Sequence, residues 1–280
     1  MKEMKARIYV GCAGWSIPRE QRSHFPEGGS HLERYASRFS AVEINASFYR
    51  DIRPATYARW SETVPEGFRF AVKVPRQVTH LGRLKDAGAL DPFLSSVQAL
   101  GKKLGPLLVQ LPPSLALEVG AVRPFLKALR ERFDGEVVCE ARHAGWFTAE
   151  GEALLREFRI ARVAADPPLF PGADRPGGWA GLAYFRLHGS PRPYYSAYTP
   201  DFLAALARTL REAARAGPVW CIFNNTAAGA ATANALSLLE LLGTAGDDAE
   251  RLVHRGDAGF AEPSMGFPRG PVALCGASGK

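Results

Sequence analysis

The sequence has no pair of cysteines close enough to make a CxxC motif. Its four cysteines (Cys12, Cys139, Cys221 and Cys275) are scattered over 280 residues. That excludes a disulfide scaffold and a zinc knuckle and gives no sign of an oxidising compartment. It also lacks any run of about 18 to 20 apolar residues, so it offers no membrane span. The opening MKEMKARIYVG has only a short apolar stretch behind its basic residues. It reads as a first strand rather than a signal peptide, and a cytoplasmic protein is expected. GxSxG, HExxH, P-loop and kinase signatures are all missing, and the glycine cluster at Gly11 to Trp15 lacks dinucleotide-binding spacing.

Lysine is scarce as well. Only eight of the 35 basic residues are lysines, the rest being arginines, and against 28 acidic residues the formal charge is +7. Positive charge favours anionic partners, either a small anionic molecule or a nucleic acid. Here the charge is dispersed, as in LRERF and ARTLREAAR, so it does not choose between them.

What is present is an ordinary globular composition, 46% apolar and 22% charged, arranged as a repeat of short apolar strand and amphipathic helix. Strands are expected at 7–12, 41–45, 68–74, 106–111, 136–140, 160–165, 181–187 and 218–224. Helices are expected at 30–39, 54–64, 89–104, 121–133, 149–158, 200–216 and 228–242. Pro54 and Pro200 suit the first turn of a helix, where the missing N–H is not needed. Eight strands alternating with helices and without a linker predict an α/β fold, a TIM (β/α)₈ barrel with a closed parallel sheet, as one domain over 1–255. Two stretches break the repeat. DPPLFPGADRPGGWA at 166–180 replaces the helix after strand six with a Pro/Gly-rich loop. The Gly/Pro-rich stretch at 256–280 reads as a partly disordered tail.

In such barrels chemistry sits at the C-terminal ends of the strands, and seven strands here end in polar side chains. The ends read AVEIN, FRFAVKV, LLVQLPP, VVCEAR, ARVAAD, YFRLH and CIFNN. Period-two alternation turns Glu43 and Asn45 inward, away from Val42 and Ile44, and does the same for Lys73. Glu140 shares a face with Arg142, and Arg186 shares one with His188; Gln110 and Asp166 follow by the same count. Asn224 and Asn225 must point opposite ways, and alternation does not decide which lines the pocket.

Burying so many polar groups is costly unless they pair, so each has a structural reading, such as Glu140 with Arg142 or Arg186 and Glu43 with Lys73. The set as a whole points to a polar pocket. Glu43 and Glu140 could divide acid and base roles, Lys73 could anchor charge or act as an amine nucleophile, and His188 could move a proton. Arg142 and Arg186 suit a carboxylate or phosphate. Gln110 and the asparagines would orient the substrate, and Trp15, Trp146 and the Tyr194-Tyr195 pair could stack on it. A divalent metal on Glu43, Glu140, Asp166 and His188 is the competing use of the same carboxylates. It would make a metal-dependent phosphoesterase acting on nucleic acid. A module that binds without turnover is the third reading.

Eight stretches resemble the YecE-like family, a domain of unknown function: GCAGWS (11–16), VEINASFYR (42–50), TYARW (56–60), PEGFRFAVKVPRQVTH (65–80), LGPLLVQLPPS (104–114), CEARHAGWF (139–147), YFRLHG (184–189) and FNNTAAGAATANA (223–235). The resemblance implies a TIM barrel and no established reaction. Its motifs fall on the strand-end residues above, with Trp15, Tyr49, His80 and His143 added. The chain departs from the family pattern at Ala144-Gly145, where Pro-Ser is usual, and at Thr226, where Asp is usual.

Overall fold

The computed structural model describes residues 7–252, so the tail expected at 256–280 lies outside the described residues. Parallel strands β1 (Ile8–Ala13), β2 (Ala41–Ile44), β3 (Arg69–Lys73), β4 (Leu104–Gln110), β5 (Val137–Glu140), β6 (Ile160–Arg162), β7 (Ala164–Asp166), β9 (Ala183–Leu187) and β10 (Val219–Phe223) form one sheet, joined by the antiparallel β8 (Gly177–Gly178). The order is β7-β9-β10-β1-β2-β3-β4-β5-β6-β8. β6 and β7 are halves of one extended run interrupted at Val163, whose N–H donates to Cys139 O. One half pairs with β5 and the other with β9, so the two ends of the sheet meet and the TIM-type barrel closes.

The helices are α1 (His31–Ala36), α2 (Ala46–Tyr49), α3 (Pro54–Thr63), α4 (Asp91–Val97), α5 (Val119–Arg132), α6 (Ala149–Glu157), α7 (Pro200–Ala213) and α8 (Ala230–Leu252). Their ends follow the local chemistry. Ser30 closes a capping box with Glu33, and Thr148 and Thr199 accept from the backbone of the first turns of α6 and α7. Pro54 and Pro200 occupy first turns as expected. Between β7 and β9 the described chain forms turns and β8, which pairs along β6.

Alternation splits the core in two. Phe68, Phe70, Val72, Val42 and Ile44 pack outward beneath the helices. Ala41, Ala71, Leu108, Val138, Ala161, Val163, Tyr184, Trp220 and Ile222 fill the lumen. The alanines give room for Trp220, which stacks between Tyr9 and Tyr184. Gly11 is fixed for the same reason of space: a Cβ there would lie 1.9 Å from Ala41 O. Above this apolar layer the same inward positions become polar, and that layer is the site.

Candidate functional site at the barrel mouth

The C-terminal ends of β2, β3, β4, β5, β9 and β10 meet around one mouth of the barrel, and the registers of paired strands set which residues lie level. Gln110 lies beside Glu140, and Arg186 beside Ile222. From β9, Arg186 reaches across the lumen. Its Nη2 and Nε donate to Glu43 at 2.7 and 3.0 Å, and its Nη1 donates to Glu140 Oε2 at 2.8 Å. Tyr184, one turn of the pleat below, donates its hydroxyl to Glu43 Oε2 at 2.8 Å. Glu140 takes more: Arg142 Nη2 and Nε at 2.9 and 3.1 Å, His188 Nε2 at 3.0 Å and Gln110 Nε2 at 3.3 Å. With Nε2–H donating to Glu140, His188 Nδ1 accepts from Asn224 Nδ2 at 3.0 Å. Glu43, Glu140, Arg186 and His188 are all buried.

Burial pushes both carboxyls up, but the guanidiniums outweigh it. Glu43 ends below its ordinary value through Arg186 and Lys73, and Glu140 well below it through Arg186, His188 and Arg142. Each carboxylate is therefore an ionised acceptor with its lone pairs engaged. Neither holds the shared, movable proton of an acid–base pair. Burial and the two arginines also lower His188 despite Glu140, so the imidazole is neutral.

Lys73 is the exception. The residue is 7% exposed, and Nζ sits 3.9 Å from the centre of the Phe48 ring, over its face. Among the described residues no hydrogen bond or ion pair to Nζ is found; Ser47 Oγ instead holds the Lys73 backbone carbonyl at 2.6 Å. Burial, with Arg186 and Arg142 opposing the pull of Glu43 and Glu140, lowers the amine to about 8. Arg142 stands at the rim with 21% of its side chain exposed. Three cations thus face two carboxylates beside a neutral histidine.

Other expected residues fall elsewhere. Asp166 does not join the network: Ala161 and Val163 face the lumen, so β7 turns Asp166 the other way, to accept from the Tyr198 hydroxyl at 2.8 Å. Burial raises its carboxyl. Asn224 is the asparagine at the mouth. Asn225 is buried and donates to Ser196 O and Asn234 Oδ1, tying the loop after β9 to α8. Asn45 lies at the rim with a buried Oδ1 that has no partner. Trp15 packs edge-on against Trp60, and Tyr49 is 68% exposed beside Phe48. Trp146 is buried and donates to Leu115 O, a structural role. His143 accepts from Gly145 N as a helix cap, and His80 sits edge-on to Phe48. Tyr184 and Phe48 are the site residues that strand-end polarity alone misses. Alternation signals Tyr184, which shares the inward face of Arg186; Phe48 lies in α2, just past the end of β2, where alternation says nothing.

The same geometry bears on a metal. Glu43, Glu140 and His188 are engaged by arginines, amides and each other, and Asp166 is turned away. Among the described residues no three His, Cys, Asp or Glu side chains gather as a metal site. The donor set does not fit a divalent ion. A cavity of about 400 Å³ lies at the opposite end of the barrel, between Tyr9, Arg69, Gly105, Glu136 and Trp220. That is the face that serves stability in barrels, and Glu136, raised by burial, is its one carboxyl.

A family model described as a protein of unknown function, DUF72, matches residues 9–256. The chain is 34% identical to the UPF0759 protein YecE of Escherichia coli K12 over 147 residues, 52% of each chain. It is 31% identical to the UPF0759 protein YunF of Bacillus subtilis over 159 residues, 50% of this chain and 52% of that one. The match therefore spans about half the length of these relatives. Crystal structures of DUF72 family proteins from Enterococcus faecalis and Thermotoga maritima superpose with TM-scores of 0.72 and 0.68. Identities are 24% and 26%, covering 85% and 84% of this chain and 96% and 99% of theirs.

Proposed function

For a chain that belongs to the DUF72 family, whose function is unknown, the chemistry of the mouth is the guide, and we propose that it is an enzyme acting on a small anionic, sugar-phosphate-like substrate. The observation that carries this is the charge count: Arg186 is consumed by Glu43 and Glu140, while Lys73 keeps its ammonium unpaired near Arg142, which reaches the rim. A buried cation with no ion-pair partner among the described residues favours an anion from solution. Lys73 and Arg142 hold that anion. Asn45, with its orphan buried Oδ1, and Asn224 orient the remainder. Proton movement falls to neutral His188, which Glu140 and Asn224 fix in one tautomer. Glu43 and Glu140 act by position, holding Arg186, Arg142 and His188.

The test is thermal stabilisation by ribose 5-phosphate compared with ribose. A ligand at 100 times its Kd adds about 2.7 kcal/mol, so the phosphate ester raises the melting temperature by several degrees and ribose does not. Lys73→Met loses the shift. Equal shifts with both sugars, or none with either, overturn the proposal.

A further inference from the structure

We infer that Lys73 is an amine nucleophile, condensing with the carbonyl carbon of an anionic aldehyde or ketone held at the mouth. This rests on the anion-site reading above and names its substrate class. A lysine serving only as a counterion would sit within ion-pair reach of Glu43 or Glu140. Instead Arg186 satisfies both carboxylates, and Lys73 Nζ rests on the Phe48 ring with no bond from any described residue. Its lone pair, once a proton leaves, has no competing use in the fold.

The surroundings suit the product as well as the amine. Attack forms the N–C bond while the carbonyl π pair moves to oxygen, and that oxygen takes up two of the three ammonium protons and leaves as water. The imine keeps the third proton and the single positive charge, so ammonium plus carbonyl gives iminium plus water with no net proton and no oxidant. Because charge is conserved, the iminium replaces the ammonium without adding a charge to the buried site. The Phe48 face stabilises either cation. Arg142, at the rim, takes the substrate's carboxylate or phosphate. Burial and the two guanidiniums support this by lowering the amine to about 8, which gives roughly 200-fold more free base at neutral pH than an ordinary lysine.

The experiment treats the full chain with glyoxylate and sodium cyanoborohydride at pH 7, then maps all eight lysines by peptide mass spectrometry. Lys73 is carboxymethylated at least about tenfold faster than the exposed Lys85 and Lys127, inorganic phosphate slows that reaction, and Lys73→Arg leaves only the slow surface background. The wild-type map stands even if the variant folds poorly. Labelling of Lys73 no faster than the surface lysines overturns the inference. If phosphate still stabilises the protein in that case, the anion site survives without the nucleophile. Fast labelling that phosphate leaves unchanged keeps the nucleophile and removes the anion site.

Discussion

Removing Arg186 should unbalance the mouth more than any other single change. Arg186→Met keeps an unbranched stem without the guanidinium and deletes three of the contacts that hold Glu43 ionised, leaving the Tyr184 hydroxyl as its remaining hydrogen bond. Glu140 suffers less, because Arg142, His188 and Gln110 stay in place. Breaking a buried pair by removing one partner costs about 3–5 kcal/mol, against a total stability of about 5–15 kcal/mol for a domain. A barrel of this size should then melt about 10 °C lower. Urea denaturation gives the sharper reading: the midpoint falls with the slope unchanged, since the same surface is exposed on unfolding. The partner change Glu43→Gln removes the stranded charge, so Arg186→Met/Glu43→Gln recovers much of the loss. A single-variant cost below about 1 kcal/mol, or no recovery in the double variant, would refute the reasoning.

Stability should change with pH in separate windows. His188 is depressed in the folded state, so its contribution is present above the unfolded value of about 6.5 and fades below it. Glu43 and Glu140 are depressed too, and theirs is lost below about 4.3. Lys73, at about 8 when folded and about 10.4 when unfolded, makes stability rise with pH between those values. Melting curves across pH check all three, and Lys73→Met abolishes the alkaline rise alone. Tyr184→Phe removes a hydrogen bond to a charged acceptor and costs about 1.5–3 kcal/mol by urea denaturation.

Much of the barrel was legible because its strands are short, apolar and closed by polar ends. The alternation in AVEIN and YFRLH is a property of one strand, so it placed Glu43, Arg186 and His188 inward without any neighbour. What it could not supply was pairing across the barrel. Arg186 and Glu43 are separated by 143 positions, and only the closed register tells which carboxylate a guanidinium meets. That is why Lys73 was a fair partner for Glu43 on sequence and is unpaired in the fold. Asp166 went astray for a related reason: the break at Val163, where the run passes from β5 to β9, leaves the parity of strand six to be set by the lumen. The Asn224–Asn225 choice likewise waited on Trp220 and Ile222 filling that lumen.

The unpaired cation at the mouth is tested most directly by calorimetric titration of inorganic phosphate into the wild type and Lys73→Met. The prediction is saturable one-to-one binding that weakens with added salt and falls at least about tenfold in the variant, a difference of about 1.4 kcal/mol. Binding of equal strength in both proteins, or none in the wild type, would contradict it.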